Sequence, residues 1–89
     1  MKKEILFSSQ AQRDYKKLSK ETKRRIKASL KKLASGIKHL DIKKLKGIEG
    51  REDLFRLRIG DYRIVYYPQK TVIKVIRIDR RSKIYEWLE

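Results

Sequence analysis

The sequence predicts an α+β domain of order β-α-α-β-β-β, with an N-terminal helical hairpin packed on one face of a mainly antiparallel four-stranded sheet. Two observations carry this prediction. Apolar residues recur at helical spacing between Ala11 and Ile37, and they alternate with arginines between Leu54 and Tyr66. A chain of 89 residues has room for one core and little for a deep enclosed pocket, so residues 1–89 read as a single domain with a shallow active surface.

Ile5-Leu6-Phe7 reads as a short first strand beginning near Lys3. Ser9 followed by Gln12 fits a capping box, and Ala11, Tyr15 and Leu18 fall at i, i+4 and i+7, which predicts a helix from near Ser9 to near Leu18. Ser19 with Glu21 behind it marks a second helix start, whose apolar stripe is Ile26, Leu30, Leu33, Ala34 and Ile37. Lys23, Arg24, Arg25, Lys27, Lys31 and Lys32 lie between those positions and make the outer face of that helix basic. Gly36 is its stop signal, and the stretch to Gly50 reads as a loop with a helical turn, anchored by Ile42, Leu45 and Ile48. Three strands follow, over residues 53–59, 62–67 and 71–79, with Pro68-Gln69-Lys70 in the second turn. Ile84, Tyr85, Trp87 and Leu88 end the chain as a tail with aromatic surface to pack down.

The first of the two hairpins specifies its own register. With Gly60-Asp61 as a two-residue turn, Ile59 lies opposite Tyr62, Arg58 opposite Arg63, Leu57 opposite Ile64 and Phe55 opposite Tyr66. One face is then apolar, and a one-residue slip would bury the arginines. Arg56, Arg58 and Arg63 emerge on the other face. A like-charge pair directly across two strands is unfavourable by some tenths of a kcal/mol, roughly, so the cluster calls for an anion. The second hairpin leaves two registers open: an even-length loop places Lys74 beside Arg63, and a three-residue loop places Arg77 there.

Lysine and arginine number 26 against 11 acids, a formal net charge of +15 that favours a polyanionic partner, of which nucleic acid is the commonest. A merely soluble cationic surface would account for the charge but not for the convergence of arginines. With no cysteine and a single histidine, His39, thiol chemistry and serine–histidine catalysis have nothing to build on. His39 reads as a solvated loop residue. Glu52, Asp53, Asp61 and Asp79 fall at strand ends and turns, where nothing in their spacing gathers them into a metal site. Gly47, Gly50 and Gly60 read as turn residues rather than a phosphate loop. The N-terminus has too short an apolar run for a signal-peptide core or a membrane span, so a soluble, cytoplasmic protein is expected, with no membrane partner and no cofactor.

Cation-driven chemistry remains. Arginines hold a scissile phosphate and stabilise the added charge of its transition state, and RNA carries its own nucleophile in the 2′-hydroxyl. Arginine stays protonated and is a poor base. Tyr85, following Arg80, Arg81 and Lys83, sits where neighbouring cations would pull a phenol's pKa down. On pattern alone, Tyr85 reads equally as a core residue.

Lys44-Leu45-Lys46-Gly47, then Leu54-Phe55-Arg56-Leu57-Arg58-Ile59-Gly60-Asp61-Tyr62-Arg63-Ile64-Val65-Tyr66, then Asp79-Arg80-Arg81-Ser82-Lys83-Ile84-Tyr85 resemble three segments of the RelE/ParE superfamily of prokaryotic toxins. In that superfamily they read K-L-x-G, L-Y-R-L-R-x-G-D-Y-R-x-x-Y and H-R-x-x-x-Y, in this order and spacing. The resemblance, which spans nearly the whole chain, implies a toxin of a type II toxin–antitoxin pair. For the RelE-like branch it implies ribosome-dependent, metal-independent cleavage of mRNA by 2′-hydroxyl attack, leaving a cyclic phosphate. It assigns phosphate and transition-state binding to Arg56, Arg58 and Arg63, leaving-group protonation or charge stabilisation to Arg81, and a base or base-stacking role to Tyr85. Lys44, Lys46, Lys74, Arg80 and Lys83 are the further RNA-binding candidates. Some RelE-like members carry lysine at the positions of Arg56 and Arg58 and histidine at that of Arg80, and both departures shift the base toward Tyr85.

The partners so implied are the ribosome with its mRNA and an acidic, partly disordered, RelB-like antitoxin that folds across the basic surface in a heterocomplex. Two other readings stand beside this one. A ParE-like toxin would share the fold, lack nuclease activity and inhibit DNA gyrase. A passive RNA- or ribosome-binding domain would show steep salt dependence and no residue that matters beyond its charge.

Overall fold

A computed structural model describes residues 2–37, 39–45 and 54–80. In chain order the elements are β1 (Glu4–Phe7), α1 (Ser9–Lys16), α2 (Lys20–Ala34), β2 (Ile42–Lys44), β3 (Phe55–Ile59), β4 (Tyr62–Pro68) and β5 (Val72–Arg80). The α+β class and the packing of a helical hairpin on one sheet face are as expected. The strand count is not: among the described residues the sheet has five strands, in the order β1-β5-β4-β3-β2. β1 runs parallel to β5, and the other three pairings are antiparallel.

The added strand, β2, comes from the stretch expected to be a loop with a helical turn. All three of its residues are exposed, so it carries no apolar alternation that could announce it. It forms because the free edge of β3 offers backbone groups in register, pairing Ile42 with Leu57, Lys43 with Arg56 and Lys44 with Phe55. Backbone bonds from Arg58 N–H to the Asp41 carbonyl and from Leu45 N–H to the Leu54 carbonyl, each 2.9 Å, extend the pairing at both ends.

Helix α1 begins one residue earlier than the capping box from Ser9 suggested. Ser8 is the N-cap, its Oγ accepting from the Ala11 N–H at 3.0 Å, and Gln12 donates instead to the Phe7 carbonyl. The Ser8 hydroxyl also donates to the Ile76 carbonyl at 2.8 Å, so one side chain caps the helix and satisfies a strand edge. Ser19 caps α2 as expected, accepting from the Thr22 N–H. That helix ends at Gly36 (φ 81°), where Ile37 N–H bonds the Lys32 carbonyl and Gly36 N–H the Leu33 carbonyl, the left-handed stop that glycine permits.

The core lies between the helices and the sheet. Ala11, Ile26, Leu30 and Ala34 from the hairpin meet Leu57, Ile64, Tyr66, Ile73, Val75 and Ile78 from the strands. Phe7 packs edge-on against Tyr15 at 5.5 Å, and the Tyr15 hydroxyl donates to the Lys23 carbonyl, which ties the two helices together. Burial of this aliphatic set, at roughly 25 cal/mol per Å² of apolar surface, is the dominant stabilising term. The opposite face is not bare. Leu54 and Val65 are buried there with Leu45, Tyr67 and Ile76 packed against them, so the arginines share that face with a second apolar cluster. Among the described residues, no helix is long and apolar enough to cross a membrane.

Candidate nucleic-acid interface

The hairpin of β3 and β4 has the expected register throughout, including Arg58 opposite Arg63 and Phe55 opposite Tyr66. Gly60 supplies the turn with φ 57°, and Asp61 needs no left-handed conformation, the pattern of a turn whose first central residue is glycine. Phe55 and Tyr66 stack at 5.7 Å on the core side. Burial pushes the Tyr66 hydroxyl up to about 12, which keeps it protonated and out of any role as a proton acceptor at neutral pH.

The three arginines differ in what they offer. Arg63, expected to emerge, is only 5% exposed, and its Nη1 donates to the carbonyls of Gly60 (2.9 Å) and Tyr62 (3.1 Å). The side chain closes back over the turn because those carbonyls need a donor and a guanidinium reaches them from the second strand. Arg56 is nearly covered, at 12% side-chain exposure, whereas Arg58 stands out at 55%. Both reach one carboxylate: Arg56 Nη1 lies 3.3 Å from Asp41 Oδ1 and Arg58 Nη1 lies 3.7 Å from Asp41 Oδ2. The anion that the like-charge pair requires is thus partly supplied by the chain itself.

Register places the remaining cations. Lys43, opposite Arg56, stands on the arginine face. Lys44, the residue expected to add to that face, is exposed on the other side of β2, in register with Phe55. A bulge between Val65 and Tyr66 resolves the open register of the second hairpin, because β5 advances two residues where β4 advances one. Arg77 therefore opposes Val65 and Lys74 opposes Tyr67, and neither stands across from Arg63, whose partner is Asp79. Arg77 is engaged by acids, with Nε 3.4 Å from Asp14 Oδ2 and Nη2 3.5 Å from Asp79 Oδ2. Arg80 opposes Tyr62, away from Arg56 and Arg58, and lines a polar cleft of about 250 Å³ with Lys17, Asp14 and Asp79.

Lys46, Arg81, Lys83 and Tyr85 lie outside the described residues. Sequence reasoning missed Asp41 and Lys43 because without β2 there was no alternation to apply to them. It also missed Arg25, whose guanidinium lies against the hairpin turn, with Nη2 2.9 Å from where a Cβ on Gly60 would stand. His39 is exposed, as a solvated loop residue should be. Among the described residues, no group of three or more His, Cys, Asp or Glu side chains is placed to hold a metal ion. What the face presents is a shallow cationic surface: one exposed arginine, two largely buried ones, a lysine beside them and an apolar cluster adjoining.

A family model described as the ParE toxin of the type II toxin–antitoxin system parDE matches residues 5–85. Among solved structures, the RelB-RelE antitoxin–toxin complex of Methanococcus jannaschii contains a chain 28% identical to this one, with a TM-score of 0.75, covering 94% of this chain and 99% of that one. The RelE-RelB complex of Pyrococcus horikoshii is similar at 28% identity and a TM-score of 0.69, covering 93% and 99%. The DinJ-YafQ toxin–antitoxin complex of E. coli shares the fold, with a TM-score of 0.76 at 16% identity over 96% of this chain and 99% of that one. No curated protein matches the sequence.

Proposed function

The chain belongs to the ParE toxin family of type II toxin–antitoxin systems, and on that premise we propose that it is a RelE-like endoribonuclease cleaving mRNA on the ribosome. The observation that carries the reading is the convergence of Arg56 and Arg58 on a single exposed anion, with Lys43 beside them, on a face open to solvent. Two guanidiniums that share a carboxylate are placed to share a phosphate. The likeness to two chains of RelE complexes at 28% identity supports the same branch.

In the proposed reaction the 2′-oxygen attacks the adjacent phosphorus and the bond to the 5′-oxygen breaks, giving a 2′,3′-cyclic phosphate and a 5′-hydroxyl. One proton leaves the 2′-hydroxyl and one reaches the departing oxygen, so no metal is required. Arg56 and Arg58 hold the non-bridging oxygens and offset the charge that grows on them. Arg63, buried and held by the turn carbonyls, braces the turn that carries Arg58 rather than touching the phosphate. Arg81 serves the leaving oxygen and Tyr85 accepts the proton. Lys46, Lys74 and Lys83 add contacts to the RNA backbone further out. Between bouts of activity an acidic antitoxin, RelB-like as in the two complexes, covers this surface in the cytoplasm.

Induction of the wild type should arrest growth and create new mRNA ends, mapped by primer extension, at codons in the ribosomal A site. Arg81→Ala and Tyr85→Phe should each suppress both effects, and undiminished cleavage in both variants would sink the mechanism. The name of the matching family model favours a second reading, a ParE-like inhibitor of DNA gyrase. Its signature is inhibited supercoiling and DNA damage signalling with intact transcripts.

A further inference from the structure

Among the described residues, Asp41 is the acid that pairs with both Arg56 and Arg58. Its two oxygens are divided between them, Oδ1 toward Arg56 and Oδ2 toward Arg58, as two non-bridging oxygens of one phosphate would be. The carboxylate is 53% exposed, so the pairs are screened and contribute little to stability. The backbone at Asp41 is fixed independently, its carbonyl accepting from the Arg58 N–H at 2.9 Å. The side chain therefore can swing away without disturbing the sheet.

We propose that Asp41 is a resident competitor for the phosphate site: its carboxylate occupies the place of the scissile phosphate between Arg56 and Arg58 and must be displaced by RNA. The inference deepens the nuclease reading and rests on it for the identity of the phosphate. Asp41 acts through the two arginines, holding them converged while the site is empty and weakening loosely held polyanions in favour of a phosphate that other contacts position. On a chain of net charge +15, such a built-in anion limits indiscriminate binding to nucleic acid.

The test uses the full chain and a fluorescent single-stranded oligonucleotide with 2′-deoxy sugars, which cannot be cleaved, read by anisotropy across a salt series. Asp41→Asn keeps the side chain's shape and removes its charge, and should tighten binding about three-fold or more. It should also steepen the dependence of log K on log salt by about 0.7, the increment of one further phosphate contact to a single strand. Glu4→Gln, the same charge change on the far edge strand β1, should give a smaller gain and an unchanged slope. In an Arg56→Ala/Arg58→Ala background the effect of Asp41→Asn should shrink to that of Glu4→Gln. A gain no larger than that of Glu4→Gln, or weaker binding, would overturn the proposal. Because binding alone is read, a wild type that leaves transcripts intact after induction would remove the nuclease reading and leave this result standing.

Discussion

Asp14 and Ile78, separated by 64 positions in the chain, are joined by a hydrogen bond of 2.9 Å from the Ile78 N–H to Asp14 Oδ2. It closes the outer edge of β5 where β1 stops, since β1 pairs only as far as Val75. Ser8 completes the closure, its N–H bonding the Val75 carbonyl and its hydroxyl the Ile76 carbonyl. An open strand edge is thereby covered by the first helix rather than by another strand.

Asp14→Ala should therefore destabilise the fold by about 2–4 kcal/mol, because it strands a buried N–H and leaves Arg77 with one partner fewer. Asp14→Asn keeps an acceptor for Ile78 and should cost less. Urea unfolding followed by circular dichroism measures both. A loss below half a kilocalorie for the alanine variant would show that the edge is satisfied in another way.

Gly60 is constrained twice, by its φ of 57° and by Arg25. Gly60→Ala should cost about 1–2 kcal/mol through the left-handed backbone. The close approach is to the end of a flexible side chain, which can move aside, so Arg25→Ala should recover little of that loss. Recovery of most of it in the double variant would mean that the steric contact dominates.

The phenol of Tyr66 is favoured in its neutral form by burial, and its pKa rises from 10.0 to about 12 on folding. The stability this provides is complete below pH 10 and is lost as pH climbs through about 12. Tyr66→Phe should abolish that part of the alkaline loss, a difference of at most about 2–3 kcal/mol between the two proteins. Parallel alkaline unfolding curves would contradict it.

Arg58 is exposed and opposes another cation, so Arg58→Thr should leave stability within about 0.5 kcal/mol of the wild type while weakening RNA binding. The binding loss should be largest at low salt, with the salt slope shallower by about 0.7. A variant that binds RNA as the wild type does would remove Arg58 from the phosphate site.

Local rules were enough for the central hairpin. Its period-two alternation and the glycine turn are properties of adjacent residues, and every cross-strand pair read from them occurs. The ends of α2 were legible for the same reason, since Ser19 and Gly36 act on backbone groups within one turn of themselves. Ser8 displaced Ser9 as the cap of α1 because its hydroxyl also meets the Ile76 carbonyl, a partner that exists only once the sheet is assembled.

The amino-acid sequence by itself determined the α+β class, the helical hairpin, the register of Arg56, Arg58 and Arg63, and the cationic character of the face they share. Each follows from periodicity or charge, which folding does not alter. Only the tertiary structure decided that β2 joins the sheet, that the bulge at Val65 and Tyr66 puts both Arg77 and Lys74 on one strand's outer register, and that Asp41 lies between two arginines. Those outcomes depend on backbone groups finding partners across the fold, and an exposed tripeptide such as Ile42–Lys44 carries no side-chain pattern that reports them.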